Sequence, residues 1–204
     1  MFIADLIKIV SEPLQNRRPW THIISFIGRS QSGKTASIEA LVQYFHHQMI
    51  PCAVVKHIHQ EGVEFDTEGK NTWRFTQAGA EIVGGHTSSH SALFLNLPLT
   101  PEKMVSLLDT LGTVLFPERQ SEGGSQIGPI LLLEGYRSIP GPKILCVKNL
   151  AEFQDQMNNE IVLVTGSVFQ TESDVARIRA CSPVPLVNCL VNPQIFLKTF
   201  FSLI

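Results

Sequence analysis

Short apolar runs alternate with amphipathic stretches in the first part of the chain. Residues 23–27 form a run of apolar and β-branched residues that stops at a glycine, which predicts a buried strand. Apolar residues in 38–49 then recur at steps of three and four, so we expect a helix whose apolar stripe includes Met49. Residues 52–55 predict a second strand. Strand, helix and strand in this order form a βαβ unit, so the sequence predicts an α/β fold with a mainly parallel sheet.

The rest of the chain continues the alternation of strands and helices. Residues 130–133 are the most hydrophobic run and predict a central strand. We expect an amphipathic arm at 1–20, a single domain at 21–204, and a mobile surface insertion at about 117–129. Further strands are predicted at 81–84, 92–95, 144–147, 161–164 and 185–187, and further helices at 72–80, at 101–111 and from Pro193 onward.

Composition and charge exclude several classes of protein. The chain has 204 residues, 44% of them hydrophobic, and its 16 Lys and Arg against 18 Asp and Glu give a net charge of -2. It therefore lacks the excess of positive charge that non-specific nucleic-acid binding requires, and we expect no nucleic-acid partner. No apolar run approaches the roughly 20 residues of a membrane span, so we expect no membrane partner either.

The cysteines indicate a reducing compartment. Cys52, Cys146, Cys181 and Cys189 form no C-x-x-C pair, and each lies among apolar or small residues. Free thiols in such surroundings behave as small hydrophobic residues, so we expect all four to be buried and unpaired. Since the sequence also shows no signal peptide, a cytoplasmic location is expected.

A glycine-rich motif follows the first predicted strand. Residues 28–35 read GRSQSGKT and fit G-x-x-x-x-G-K-[ST] between a strand and a helix. Such a loop turns its backbone N–H groups toward the α- and β-phosphates of a nucleotide, and the helix adds the positive end of its dipole. Lys34 is expected to reach the β- and γ-phosphates, and Thr35 to bind Mg²⁺. The motif and its context predict the three-layer sandwich of P-loop NTPases rather than a chance glycine turn.

Acidic and basic residues at the same edge of the predicted sheet are candidates for metal binding and catalysis. Glu134 directly follows the central strand and is expected beside the loop, although a strand end facing water is the alternative. Asp66 is expected to hold a metal-bound water or to orient the attacking water, while Lys56 or Lys70 neutralises charge on the γ-phosphate. The predicted catalytic residues are thus Lys34, Asp66 and Glu134, and the predicted metal site contains Thr35, Glu134 and Asp66.

Two histidines after the second strand raise the question of a transition-metal site. His57 and His59 are two residues apart, but no third ligand is convincing, so local hydrogen bonding is favoured. The residues expected to contact the nucleotide are Gly28, Arg29, Ser30, Gln31, Ser32, Gly33, Lys34, Thr35, Ala36, Lys56, His57 and Lys70.

Several segments together carry a resemblance to a known family: GRSQSGKT at 28–35, KHIH at 56–59, Asp66 with GKNT at 69–72, AGA at 78–80 and LLLEGY at 131–136. They resemble the molybdopterin-guanine dinucleotide biosynthesis protein B (MobB) family, a branch of the P-loop GTPases. The resemblance implies a protein that binds GTP with Mg²⁺, hydrolyses its β–γ bond weakly, forms a homodimer and assists the guanylyltransferase that attaches GMP to molybdopterin.

The chain departs from the family's pattern at two positions. Asn71 stands where the family usually has Asp, and Gln60 where a further His is common. An amide at Asn71 removes a charge that would serve Mg²⁺ or water, so the resemblance supports nucleotide binding more than hydrolysis. The sequence also lacks the N-K-x-D element by which many GTPases hold guanine, so the expectation of GTP comes from the resemblance.

Two other functions stay open on the sequence. A P-loop small-molecule kinase would bind its acceptor in the loop after Lys56, but residues 117–129 contain the single arginine Arg119 instead of an arginine-rich lid. A non-hydrolysing, nucleotide-dependent adaptor would carry its interaction on the N-terminal arm. Phosphate release from GTP and ATP separates these alternatives.

Overall fold

A computed structural model describes residues 20, 22–60, 62–116 and 129–204. Apart from Trp20 and Pro129, the predicted arm and the predicted insertion lie outside the described residues. The described residues divide into a larger compact unit, within Met1–His57 and Val105–Ile204, and a smaller one, within Ile58–Met104. The segment predicted as a single domain therefore contains a part that forms a unit of its own.

Strands and helices alternate along most of the described residues, as the sequence pattern predicts. In this part of the chain, no helix combines the length and the apolar composition that crossing a membrane requires. The strands are β1 (His22–Ile27), β2 (Cys52–Lys56), β3 (Ile82–His86), β4 (Ser91–Leu95), β5 (Ile130–Glu134), β6 (Lys143–Cys146) and β7 (Ile161–Thr165). The helices are α1 (Lys34–His47), α2 (Asn71–Gln77), α3 (Pro101–Leu115), α4 (Leu150–Gln156), α5 (Glu172–Cys181) and α6 (Pro193–Phe201), and a 3₁₀ turn spans Ser167–Gln170.

The larger unit is built on a parallel sheet with strand order β2-β5-β1-β6-β7. The inner strand β5, which lies between β2 and β1, is buried along its whole length. In β6, Ile144 belongs to a core shared with α1 and α6, whereas Leu145 belongs to a core shared with α4 and α5. Because successive side chains of a strand point to opposite faces, helices cover both faces of the sheet. The predicted three-layer α/β fold with a mainly parallel sheet is confirmed.

The C-terminal end of α1 differs from its prediction. The helix ends at His47, and Met49 lies beyond it with a φ of 56° and 81% of its surface exposed. The amide of Ile50 donates to the carbonyl oxygen of Phe45 at 2.9 Å, and Ile50 is buried. The prediction that Met49 belongs to the apolar stripe is wrong, because the chain turns there and Ile50 takes the buried position.

Two predictions near the C-terminus are also wrong. Residues 185–187 form no full strand, since Leu186 makes one isolated parallel bridge with Val164. Cys181 is exposed rather than buried, because α5 packs on the core through Ile178 and ends at this cysteine.

The smaller unit contains α2 and the antiparallel hairpin of β3 and β4. Within the described residues, these two strands pair with each other and form a separate sheet, which explains why the segment is a unit of its own. Asn96 fastens the hairpin to the end of α2. Its side-chain amide donates to the hydroxyl of Thr76 at 3.1 Å and to the carbonyl of Ala80 at 2.7 Å.

Candidate functional site

The carboxyl end of β1 lies at the topological switch point of the parallel sheet, where the strand order changes direction. β1 has β5 on one side and β6 on the other. In open α/β sheets, ligands bind outside the carboxyl ends of the strands at such a reversal. Residues 28–33 connect β1 to α1 here, so the fold places the predicted phosphate loop where a ligand is expected.

Two glycines let this loop pack closely on its neighbours. Gly28 has a φ of 147°, and a Cβ there would collide with the carbonyl oxygen of Cys146. Gly33 has a φ of 89°, and its Cβ would lie 2.8 Å from the amide nitrogen of Ser167. Since left-handed backbone costs other residues about 1–2 kcal/mol even without a collision, the backbone requires both glycines that the motif specifies.

The start of α1 offers donors for an anion. Gly33 occupies the N-cap, and no side chain caps the helix. The first amides of a helix have no acceptor within it, and the positive end of the helix dipole lies at the same place. Ser32 is fully buried in the loop, and its hydroxyl has no hydrogen-bond partner among the described residues. The free amides at the start of α1 fit a bound phosphate group.

Lys34 lies against the loop itself. Its ammonium donates to the carbonyl oxygens of Gly28 at 3.1 Å and of Arg29 at 2.6 Å. Partial burial lowers the pKa of Lys34, while the negative charge of Glu134 acts in the opposite direction. The lysine is thus held at the mouth of the loop, where the motif requires it.

Thr35, Glu134 and Lys56 form a polar cluster at the carboxyl edge of the sheet. The hydroxyl of Thr35 donates to the Glu134 carboxylate, with 3.1 Å to each oxygen. The ammonium of Lys56 lies 3.1 Å from Oε1 of Glu134. Parallel pairing explains the arrangement, because β5 lies between β1 and β2. Glu134 of β5 is paired with Phe26 of β1 on one side and with Lys56 of β2 on the other. Glu134 is 6% exposed, so it does not face water as a simple strand end would.

His57 makes local contacts next to this cluster. Its backbone amide donates to the carbonyl oxygen of Glu134 at 2.8 Å, and its ring lies 5.4 Å from that of Tyr136. Over the ranges that the structure describes, no group of three His, Cys, Asp or Glu residues is placed to hold a metal ion. This result concerns protein-only sites and does not bear on a metal that arrives with a nucleotide.

Residues 23–166 match the family described as Molybdopterin guanine dinucleotide synthesis protein B, MobB. The match covers more than half of the chain and includes both the phosphate loop and Glu134. The chain belongs to the MobB family.

Relatives and solved structures agree with this assignment. The molybdopterin-guanine dinucleotide biosynthesis adapter protein of Haemophilus influenzae is 31% identical over 123 residues, which are 60% of this chain and 61% of that protein. The putative adapter protein of the same description from Methanocaldococcus jannaschii is 25% identical over 174 residues, 82% of this chain and 65% of that protein. The matches span less than two thirds of the length of these two relatives. The crystal structure of Bacillus subtilis MobB has a TM-score of 0.61 at 21% identity, covering 87% of this chain and 96% of that one, which supports the fold.

The two units of this MobB-family chain divide the predicted site residues between them. The loop residues, Lys56, His57 and Glu134 belong to the larger unit and lie at the carboxyl edge of its sheet. Asp66 and Lys70 belong to the smaller unit. Their expected roles at the metal and at the γ-phosphate stay predictions.

Sequence reasoning missed two residues that hold the MobB-family loop. Ser167 donates from its amide to the carbonyl of Ser32 at 3.0 Å and from its hydroxyl to the carbonyl of Gln31 at 3.2 Å. Asp155 in α4 forms an ion pair with Arg29 at 2.9 Å. Ser167 follows the carboxyl end of a predicted strand, which was a usable signal. No local signal marks Asp155, because its partner is 126 residues away in the sequence.

Proposed function

We propose that the chain is a GTP- and Mg²⁺-binding adapter of molybdopterin guanine dinucleotide biosynthesis, with weak hydrolysis of the GTP β–γ bond. The observation that supports it best is the contact between Thr35 and Glu134 at the start of α1. The biosynthetic role is supported by membership of the MobB family and by relatives named as adapter proteins. The preference for GTP over ATP rests on the family.

The Thr35–Glu134 pair fits a magnesium ion that arrives with a nucleotide. Mg²⁺ prefers oxygen ligands, keeps several waters and is usually held by one or two protein groups together with phosphate oxygens. A hydroxyl and a nearly buried carboxylate already lie within 3.1 Å of each other here. When bound, the ion neutralises part of the charge of the polyphosphate.

The loop supplies the remaining contacts with the phosphates. The amides at the start of α1 face an anion with the helix dipole behind them. Lys34 exchanges its bonds to the carbonyls of Gly28 and Arg29 for bonds to the β- and γ-phosphates. Because a charged hydrogen bond to phosphate is stronger than one to a neutral carbonyl, this exchange favours the bound state.

Weak hydrolysis agrees with the contacts that the Glu134 carboxylate already makes. A general base must be able to accept a proton from the attacking water. Glu134 instead accepts from Thr35 and forms an ion pair with Lys56 at 3.1 Å. We therefore expect the bound nucleotide to serve mainly in docking to a guanylyltransferase, through loops at the sheet edge that respond to the γ-phosphate.

The nucleotide part of the proposal is tested by calorimetry with GTP and with ATP, each with and without Mg²⁺. We expect GTP to bind more tightly than ATP, and Mg²⁺ to strengthen binding. Phosphate release from GTP should be slow. Equal or better binding of ATP would contradict the guanine preference. Rapid ATP use that requires a small acceptor would replace the proposal with a kinase, and tight binding with no phosphate release would reduce it to a non-hydrolysing adaptor.

The partner part of the proposal is tested with the purified guanylyltransferase. We expect sedimentation to show a homodimer of this chain, and we expect the complex with the guanylyltransferase to be tighter with a non-hydrolysable GTP analogue than with GDP. An affinity for that enzyme that does not change with the nucleotide would contradict nucleotide-controlled docking.

A further inference from the structure

Arg137 lies beside the phosphate loop, in the turn that follows β5. The amide of Gly135 donates to the carbonyl oxygen of Phe26 at 2.9 Å, and the amide of Arg137 donates to the carbonyl oxygen of Gly135 at 3.0 Å, so the turn is fixed against the end of β1. Burial is the main cause that lowers the pKa of Lys34, and the positive charge of Arg137 lowers it further. The turn therefore places a guanidinium group near the lysine of the loop.

The charge of Arg137 is not balanced by a carboxylate. Its guanidinium donates to the side-chain oxygen of Gln156 at 2.7 Å, and Lys34 donates to two backbone carbonyls. Among the residues that the structure describes, neither Arg137 nor Lys34 forms an ion pair. The other basic side chains of the site are each paired with an acid: Arg29 with Asp155, and Lys56 with Glu134. Two positive charges without a paired acid suit an anionic ligand at the mouth of the loop.

The contact between Arg137 and Gln156 is easily exchanged for a stronger one. Arg137 is exposed, and its acceptor is a neutral amide. Hydrogen bonds between a guanidinium and a phosphate are charge-assisted and about twice as strong as neutral ones. The planar fork of arginine also matches two phosphate oxygens at once. A phosphate group within reach therefore competes well with Gln156 for this side chain.

The position of Arg137 favours the terminal phosphate of a bound nucleotide. The backbone amides of a phosphate loop surround the α- and β-phosphates, which leaves the γ-phosphate to side chains. Mg²⁺ bridges the β- and γ-oxygens, so the Thr35–Glu134 pair proposed to hold it marks the γ-phosphate side of the site. Arg137 leaves the sheet from the same strand as Glu134, three residues further along the chain.

We propose that Arg137 binds the γ-phosphate of the nucleotide and leaves Gln156 when a triphosphate replaces a diphosphate. The inference rests on the proposed nucleotide binding and adds to it the residue that distinguishes GTP from GDP. Gln156 holds the arginine when the γ-phosphate is absent. Because Gln156 is the last residue of α4, the exchange also changes the contacts at the end of that helix, where a partner can detect the nucleotide state.

The first test compares a triphosphate with a diphosphate in the full-length chain. Calorimetry with Mg²⁺ measures the affinities for the β,γ-imido analogue of GTP and for GDP. Arg137→Gln should weaken binding of the analogue about tenfold or more, because a charge-assisted bond is lost, and should leave GDP affinity within about twofold. Arg137→Lys, which keeps the charge but not the fork, should lie between the wild type and Arg137→Gln. Arg179→Gln, at an exposed position in the last turn of α5, is the matched control and should change neither affinity.

Gln156→Ala separates binding of phosphate from a purely structural role. It breaks the same hydrogen bond from the other side and leaves the arginine in place. We expect affinity for the GTP analogue to be kept or raised, because Arg137 no longer has to leave a partner, and GDP affinity to stay the same. If the bond only stabilises the turn after β5, Arg137→Gln and Gln156→Ala will weaken binding of both nucleotides alike. That result, or an unchanged ratio of analogue to GDP affinity in Arg137→Gln, would overturn the proposal.

Phosphate ligands without guanine separate this inference from the proposed function. The same variants are titrated with the β,γ-imido analogue of ATP and with tripolyphosphate, each with Mg²⁺. If these ligands bind better than the GTP analogue and Arg137→Gln still weakens their binding about tenfold, the inference stands and the proposed preference for GTP fails. GTP binding that does not depend on Arg137 would remove the inference and leave the proposed function. Binding of none of these ligands by the unmodified chain would remove both.

Discussion

The polar cluster of Thr35, Glu134 and Lys56 in the larger unit and two buried polar atoms of the smaller unit are paired to very different extents. In the larger unit, the Glu134 carboxylate lies 3.1 Å from the Thr35 hydroxyl and 3.1 Å from the Lys56 ammonium. In the smaller unit, a carboxylate oxygen of Asp66 and the indole nitrogen of Trp73 are buried without partners in the described part of the chain. Internal pairs stabilise a site without its ligand, whereas an unpaired buried polar atom costs the fold about 1–3 kcal/mol. A motif search finds the paired cluster, whereas the unpaired atoms are visible only in three dimensions.

The largest effect is expected from Lys34→Ala, which removes the cation of the larger unit's site. We expect GTP affinity to fall about 100-fold, since each charge-assisted hydrogen bond contributes about 1.5–3 kcal/mol and each 1.4 kcal/mol is tenfold in affinity. Calorimetry with Mg²⁺ measures it. Lys198→Ala, at an exposed position in α6, is the matched control. Near-normal affinity of the Lys34 variant would show that the loop is not the phosphate site.

Glu134→Gln tests whether the paired carboxylate serves the metal. The amide keeps the shape of the side chain but removes its charge, so Mg²⁺ is held less well. We expect the Mg²⁺ concentration that gives half-maximal GTP binding to rise about tenfold, while binding at saturating Mg²⁺ changes less. Glu172→Gln on the surface of α5 should leave the titration unchanged. An unaltered Mg²⁺ dependence in the Glu134 variant would mean that the ion is held elsewhere.

The sequence predicted the larger unit well because its signals are local. Apolar runs and helical spacing mark β1, α1, β2 and β5, and the parallel topology then brings Glu134 next to the loop. Contacts between distant segments could not be predicted in this way. The pairing of Arg29 with Asp155 depends on how α4 packs, and periodicity carries no information about that.

The smaller unit shows the limit of the same reasoning. The runs at 81–84 and 92–95 were predicted as strands and are found in β3 and β4, but local patterning does not say which strand pairs with which. Asp66 was selected from its position after β2 and assigned to a metal. The position of its carboxylate at a cavity with Trp73 depends on the folded hairpin and α2, which no short motif encodes.

Asn96→Ala is expected to affect the smaller unit and spare the nucleotide site. It removes two hydrogen bonds that fasten the hairpin to α2, which together stabilise the folded unit by about 1–3 kcal/mol. Hydrogen exchange of the amides in β3 and β4 should become about tenfold faster. GTP affinity should stay within twofold. Asn158→Ala in the larger unit is the matched control, and equal changes in both variants would contradict a separate smaller unit.

The smallest effect is expected from Arg29→Gln, which removes the exposed ion pair beside the loop. The Arg29 and Asp155 side chains are 59% and 55% exposed. Pairs of this kind contribute about 0–1 kcal/mol, so the change in unfolding free energy, measured by urea titration, should stay below about 1 kcal/mol. The carbonyl oxygen of Arg29 that accepts from Lys34 belongs to the backbone and is retained.

Asp155→Asn makes the comparison decisive, because it breaks the same ion pair and leaves the arginine in place. If the pair is only structural, both variants bind GTP alike. If Arg29 leaves Asp155 to contact the phosphates, GTP affinity falls in Arg29→Gln but is kept or raised in Asp155→Asn. A more than fivefold difference in GTP affinity between the two variants would show that even the paired residues of the larger unit change partners when nucleotide binds.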